Sequence, residues 1–184
     1  MTSNGLFEDM PANRRAFLYA GVAAAAAVAG TGVAWWKLRA RDTGANAAAP
    51  VWRSIFQTPD GATLAMAAFR GKPLLLNFWA TWCPPCVEEM PRLDLFFREN
   101  ASNGWQVVGL AIDQPGPVRS FLSRVPVTFP IGLAASNGQE LSLALGNAAA
   151  GLPFSVLIGA GGRVLERKIG QLSAAELGHW RELR

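Results

Sequence analysis

Scarcity is the first information in this chain. Its 184 residues contain two cysteines and one histidine. A structural zinc site takes four ligands, usually two cysteine pairs or one pair with two histidines, and a single pair with the distant His179 does not supply them. Haem attachment requires a histidine directly after the second cysteine of a Cys-x-x-Cys, and Val87 stands there instead. No metal or other cofactor is therefore expected, and His179 is expected to lie on the last helix without a catalytic role. Charge is also sparse. Charged residues make up 16% of the chain, with a net charge of +4. Residues 1–50 and 51–184 each carry +2 of it, and the second part has no basic run or stripe. That distribution argues against nucleic acid as a partner. Internal repeats are absent as well.

What is present is concentrated. Both cysteines fall in Trp82-Cys83-Pro84-Pro85-Cys86, directly behind the apolar run Leu74–Trp79. An uninterrupted apolar run of this length reads as a strand buried on both faces. Pro84 suits the first turn of a helix. A cysteine at a helix N-terminus meets unpaired amides and the positive end of the helix dipole, which favour the thiolate, the nucleophile of thiol–disulfide exchange. Cys83 is thus expected to be exposed and to attack, with Cys86 shielded one turn in and resolving the mixed disulfide. A purely structural disulfide is the bland alternative, but a bridge across three positions closes almost no loop.

The N-terminal part reads differently. Phe17–Trp36 is a stretch of 20 residues without charge, long enough to cross a hydrocarbon core as a helix. Arg14 and Arg15 precede it, Lys37, Arg39 and Arg41 follow, and Trp35-Trp36 sit where an interfacial anchor belongs. Asn13-Arg14-Arg15-Ala16-Phe17-Leu18 has the form of a twin-arginine signal, although paired arginines are also ordinary flanks of a membrane segment. Ala45-Asn46-Ala47 has the small-x-small form of a cleavage site. A retained anchor is the preferred reading and cleavage the alternative. We expect residues 1–41 to be an export signal or membrane anchor, 42–50 a linker, and 51–184 the folded domain. A disulfide-forming pair behind such a leader points to an oxidising compartment.

Within the domain, Val51–Gln57 and Ala62–Ala67 read as a β-hairpin around the turn Thr58-Pro59-Asp60-Gly61. A helix is expected from Pro84 through Val87, Met90, Leu93 and Phe97, kinked at Pro91. Trp105–Ile112 reads as a second buried strand, and Pro117 as the start of a helix carrying Val118, Phe121, Leu122 and Val125 on one face. Phe129–Ile131 reads as a short extended segment. Gln139–Leu145 reads as a helix, with Asn137 and Glu140 as a capping box. Phe154–Ile158 and Arg163–Ile169 follow as strands, and Ser173 with Glu176 opens a last helix to Leu183. Alternating strands and helices with a ββα ending imply an α/β fold, a mixed sheet with helices on its faces.

Asn77-Phe78-Trp79-Ala80-Thr81-Trp82-Cys83-Pro84-Pro85-Cys86, taken with Gly151-Leu152-Pro153, resembles the thioredoxin superfamily. More narrowly it is similar to the membrane-tethered TlpA/ResA-like thiol–disulfide oxidoreductases. The resemblance implies a thioredoxin-like fold with an added N-terminal β-hairpin over residues 51–184. It implies that Pro153 is the cis-proline beside the disulfide and that Glu89 is the acidic residue that tunes the thiols. It also implies partner contacts through Trp82, Pro84, Pro85 and Leu152. Two departures stand out. Many thioredoxins carry an aspartate where Asn77 stands, so proton transfer from the inner thiol would fall to Glu89 or water. The turn Ala160-Gly161-Gly162 lacks the aspartate common in relatives, a difference read as structural.

The resulting expectation is an enzyme, an exported thiol–disulfide oxidoreductase anchored at the periplasmic face of a bacterial inner membrane, with a monomeric domain. Its partners would be protein thiols and disulfides, in apocytochrome c or copper-site maturation, with a membrane thiol-transfer protein as electron donor. An oxidase or isomerase of the same compartment is the nearest alternative. A copper(I) chaperone would use the same two thiolates, but no further His or Met ligand stands nearby. A peroxidatic enzyme would need a Pro-x-x-x-Thr-x-x-Cys spacing that Pro73–Cys83 does not have.

Overall fold

The strand Leu74–Trp79 (β3) is buried at every position, as its unbroken apolar run requires. Its alternation assigns Leu74, Leu76 and Phe78 to one face, and Leu75, Asn77 and Trp79 to the other. The two faces feed separate cores. Leu75 and Trp79 join Met90, Leu93, Phe121 and Trp180, while Leu74, Leu76 and Phe78 join Val51, Trp52, Leu141 and Phe154. Burying each such side chain stabilises the fold by about 1.5–3 kcal/mol, so β3 is the strand on which both layers depend.

The computed structural model describes residues 47–135 and 137–183. The expected anchor Phe17–Trp36, the twin-arginine pattern and the start of the linker lie outside the described residues. Among the described residues no helix is long and apolar enough to cross a membrane. The chain order is α1 (Ala49–Arg53), β1 (Ile55–Gln57), β2 (Thr63–Ala65), a 3-10 turn (Met66–Phe69), β3, α2 (Pro84–Asn100), β4 (Gln106–Ala111), α3 (Pro115–Arg124), β5 (Ile131–Leu133), α4 (Gly138–Ala144), β6 (Phe154–Ile158), β7 (Val164–Ile169) and α5 (Ala174–Glu182). The strands form one mixed sheet in the order β2-β1-β5-β4-β3-β6-β7. β4 runs parallel to β3, and β6 antiparallel to it with Phe78 opposite Phe154. This is the thioredoxin-like fold, and the β1–β2 hairpin is the added element, joined to the sheet through Gln57 and Leu133.

Several local expectations hold. Gly61 closes the hairpin turn at φ +90°, a conformation that glycine alone adopts at no steric cost. Helix α2 begins at Pro84, as expected, and reaches Asn100 as one element with Pro91 inside it. Ser173 and Glu176 form the reciprocal capping box of α5, Glu176 N–H to Ser173 Oγ at 3.2 Å and Ser173 N–H to Glu176 Oε2 at 2.8 Å.

Other boundaries differ. Val51–Arg53 is helical rather than extended, because Pro50 takes the first turn of α1 and Ala48, Val51 and Trp52 turn inward. A five-residue element is too short for its period to tell helix from strand. The second strand of the hairpin stops at Ala65, where Met66 enters a 3-10 turn and is buried. Helix α3 starts at Pro115, not Pro117, since the first of the two prolines already supplies the fixed φ. Strand β5 lies two residues later than expected, with Phe129 buried in the preceding loop. Asn137 does stand before α4, but at φ −133°, ψ −3° it makes no side-chain cap, so the expected box with Glu140 does not form.

Gly109 in β4 shows how closely these layers fit. A Cβ there would lie 2.7 Å from Ile131 Cδ1, 3.1 Å from Trp79 Nε1 and 3.2 Å from Phe129 Cε2. Forcing a methyl into that space displaces packed side chains. Gly109→Ala is therefore expected to destabilise the domain by about 1–3 kcal/mol, measured by denaturant titration. An unchanged midpoint would show that the layer has slack there.

Candidate active site

The end of β3 and the start of α2 place the cysteines. Cys83 is the N-cap of α2, extended at φ −102°, ψ 100°, and its carbonyl accepts the first helical bonds from Cys86 N–H at 3.0 Å and Val87 N–H at 3.1 Å. Pro84, which has no N–H to leave unpaired, occupies the first helical position. Cys83 and Cys86 form a disulfide across this turn. Cys86 is fully buried and Cys83 is 5% exposed. The order is the expected one, but Cys83 is more covered than its position at a helix end suggested. In the oxidised form its sulfur is turned onto Cys86 and the residue joins the core cluster of Leu75 and Trp79.

The rim around the pair is apolar and open. Trp82 is 66% exposed, Pro84 and Pro85 are exposed, and Leu152 is half-buried. Leu152-Pro153 is a cis peptide bond. One step beyond the Phe78–Phe154 register sets Pro153 opposite Trp79, on the strand that leads to Cys83. Phe78 and Phe154 stack with ring centres 5.8 Å apart and fasten the two strands next to it. The sequence-identified Cys83, Cys86, Trp82, Pro84, Pro85, Leu152 and Pro153 thus gather at one end of the sheet. His179 lies on α5, as expected.

Behind the pair lies a polar cluster inside the core. Asn77 in β3 and Glu89 in α2 are both fully buried. Asn77 Nδ2 donates to Glu89 Oε1 at 2.7 Å and to Ser155 Oγ at 3.0 Å. Glu89 Oε2 accepts the Leu172 N–H at 2.9 Å. Arg92, one turn further along α2, donates to the Leu172 carbonyl at 2.7 Å and keeps that segment in place. Burial pushes the Glu89 carboxyl above the ordinary range; the bonds from Leu172 and Asn77 and the Arg92 charge oppose this without cancelling it. Glu89 lies three residues after Cys86, on the same side of the helix. Asn77 Oδ1 is buried with no hydrogen-bond partner among the described residues.

Ser155, Gln171, Leu172 and Asp113 were not legible as site residues. Gln171 Nε2 donates to the Pro85 carbonyl and to Glu88 Oε2, each at 2.9 Å. Asp113 Oδ2 accepts from Thr81 N–H at 2.9 Å and from the Thr81 hydroxyl at 2.5 Å, steadying the loop that carries Trp82. None of the four lies in a motif or at a spacing that marks it in the sequence.

A family model described as Redoxin matches residues 44–178. The chain belongs to the Redoxin family. It is a TlpA/ResA-like member of the thioredoxin superfamily. The chain is 32% identical over 120 residues to the thiol-disulfide oxidoreductase ResA of Bacillus thuringiensis, covering 64% of this chain. It spans 66% of that relative's length, just under two thirds. A crystal structure of a thiol:disulfide interchange protein from Chlorobium tepidum is 30% identical, with a TM-score of 0.61 over 70% of this chain and 90% of that one. A secreted disulfide oxidoreductase of Mycobacterium tuberculosis is 26% identical, with a TM-score of 0.61 over 73% and 98%.

In this Redoxin domain the raised Glu89 carboxyl has a measurable consequence. A carboxyl whose folded pKa exceeds its unfolded value favours the fold while protonated, and that contribution is lost as pH rises through the folded pKa. Glu89→Gln does not titrate. The stability of the oxidised wild type minus that of Glu89→Gln should therefore fall as pH rises from the ordinary carboxylate range, by about 1.4 kcal/mol for each tenfold gain in proton affinity that folding gives the carboxyl. Chemical denaturation across that range checks it; a difference that rises with pH would show that the hydrogen bonds outweigh burial.

Proposed function

We propose that this chain is a thiol–disulfide oxidoreductase that exchanges electrons with protein partners through Cys83 and Cys86. The observation that carries the reading is the Cys83–Cys86 disulfide across the first turn of α2, with one sulfur at the helix end and the other buried. Similarity to named thiol–disulfide oxidoreductases supports it.

In the reducing direction the Cys83 thiolate attacks one sulfur of the partner's disulfide. The Cys83–partner bond forms as the partner's S–S bond breaks, and the released partner thiolate takes a proton. Cys86 then loses its proton and attacks Cys83. The Cys83–Cys86 disulfide reforms as the Cys83–partner bond breaks, the expelled partner thiolate takes a proton from solvent, and the partner leaves with two thiols and two more electrons. A dithiol donor returns the pair to the reduced state; we assign this role to a membrane thiol-transfer protein. Glu89 takes the proton of Cys86. A buried carboxylate with a raised pKa sits closer to a thiol in proton affinity than an exposed one does, and Asn77 cannot titrate.

We further place the domain outside the cytoplasm, at a bacterial inner membrane, held by Phe17–Trp36. The uncharged length of that segment supports this, as does similarity to a secreted disulfide oxidoreductase. Partners with paired cysteines that must be reduced before loading, as in apocytochrome c or copper-site proteins, fit such a reductant.

Cys86→Ala should trap partners as mixed disulfides, because Cys83 still attacks and nothing resolves the bond. Isolated from cells, the trapped species should lie in the membrane fraction, facing outside the cytoplasm, and should be released by dithiothreitol. Trapping by Cys83→Ala instead would reverse the roles, and cytoplasmic partners would overturn the placement. The pair should be more reducing than about −200 mV when equilibrated with glutathione. A value near −120 mV would make the chain an oxidant.

A further inference from the structure

One buried side chain outside every sequence motif governs the segment ahead of Pro153. Asn147 is 1% exposed, and both ends of its amide are bound to the same residue. Its Nδ2 donates to the Gly151 carbonyl at 2.9 Å, and its Oδ1 accepts the Gly151 N–H at 3.1 Å. The same Nδ2 lies 3.5 Å from Ser142 Oγ. The main chain of Asn147 is fixed in turn, its N–H donating to the Ser142 carbonyl at 3.0 Å and its carbonyl accepting Ala150 N–H at 2.9 Å. The side chain thus pairs with Gly151 as a neighbouring strand would.

The loop needs such a clamp. Ala150 sits at φ +49°, the left-handed region that alanine seldom occupies. Gly151 has no spare room, since a Cβ there would lie 2.9 Å from Ile169 Cγ2. A conformation of this kind persists only where its surroundings hold it. What it holds is Leu152. That side chain packs on both the cluster containing Cys83 and Cys86 and the second core, while neither its N–H nor its carbonyl is paired among the described residues. An unpaired main chain beside a disulfide is a place for an extended peptide to pair.

We propose that Asn147 is a positioning residue for partner recognition: its amide sets Gly151 so that the main chain of Leu152 is presented, beside the disulfide, to an extended disulfide-bonded polypeptide. The proposal rests on the exchange activity proposed above. It assigns Asn147 to binding of polypeptide partners and leaves the chemistry of the sulfurs to the residues around them.

The test uses the full chain and two disulfides. Insulin, with dithiothreitol supplying electrons, has a peptide main chain; 5,5′-dithiobis(2-nitrobenzoate) has none. Asn147→Ala should lower kcat/KM for insulin about tenfold, through KM. Its rate with the small disulfide and its equilibrium with glutathione should stay within about twofold, since Asn147 makes no bond to either cysteine. Asn147→Asp keeps the volume but sets an acceptor against the Gly151 carbonyl, and should lose insulin activity in the same selective way. Hydrogen exchange adds a readout that needs no turnover. The Gly151 amide should be protected in the wild type and exchange faster in Asn147→Ala, with Val156 unchanged. Equal losses on both disulfides, a shifted glutathione equilibrium, unaltered insulin kinetics, or an unprotected Gly151 amide in the wild type would each overturn the proposal. A wild type inert toward both disulfides would remove the exchange reading, and this proposal with it.

Discussion

A polar side chain in the middle of a strand buried on both faces must find partners inside the protein, and in this fold much follows from that demand at Asn77. Its amide nitrogen has two protons to place. One goes to Glu89 on the helix above and one to Ser155 on the neighbouring strand. The two bonds join the helix that carries the cysteines to the strand that follows Pro153. Leaving such donors unpaired in the core would cost about 1–3 kcal/mol each, so the arrangement has little freedom to slip. Glu89 is thereby kept inside, where burial raises its affinity for a proton.

The redox pair therefore has two distinct supports. The apolar layer of Leu75, Trp79, Met90 and Leu93 sets its position relative to the sheet. The polar cluster of Asn77, Glu89 and Leu172 lies inside the core behind it. The loops around it are tied by side chains to main-chain groups: Asp113 to Thr81, Gln171 to Pro85, Asn147 to Gly151. These ties leave Trp82, Pro84 and Pro85 exposed while the segments bearing them are anchored.

What could be read from the sequence was what repeats or signals over a short distance. The run Leu74–Trp79, the proline after Cys83 and the Ser173–Glu176 box each lie within one element, and each was found. Pro153 was legible only through the Cys-x-x-Cys resemblance, since no local signal distinguishes a cis from a trans proline. The misses have two causes. Val51–Arg53 and Asn137 carry patterns too short to decide between conformations; at Val51 and Trp52 packing in the second core decided it. Ser155 and Leu172 reach the site across 78 and 83 residues of chain, where no spacing rule operates. Glu89 was singled out by the family resemblance, but the bonds that give it an unusual environment could not have been read from the sequence.

That separation also bears on how the chain is made. Synthesis proceeds from the N-terminus, so the Cys83–Cys86 helix exists long before Ser155 and Leu172 have been added. Until those elements are in place, Glu89 Oε2 lacks the Leu172 N–H and Asn77 Nδ2 lacks the Ser155 hydroxyl. A newly made chain thus lacks the full set of bonds around Glu89 until the segment at Leu172 is in place against α2. The stretch around Leu172 therefore completes, late in the chain, the surroundings of a carboxyl that the helix behind the disulfide carries from the start.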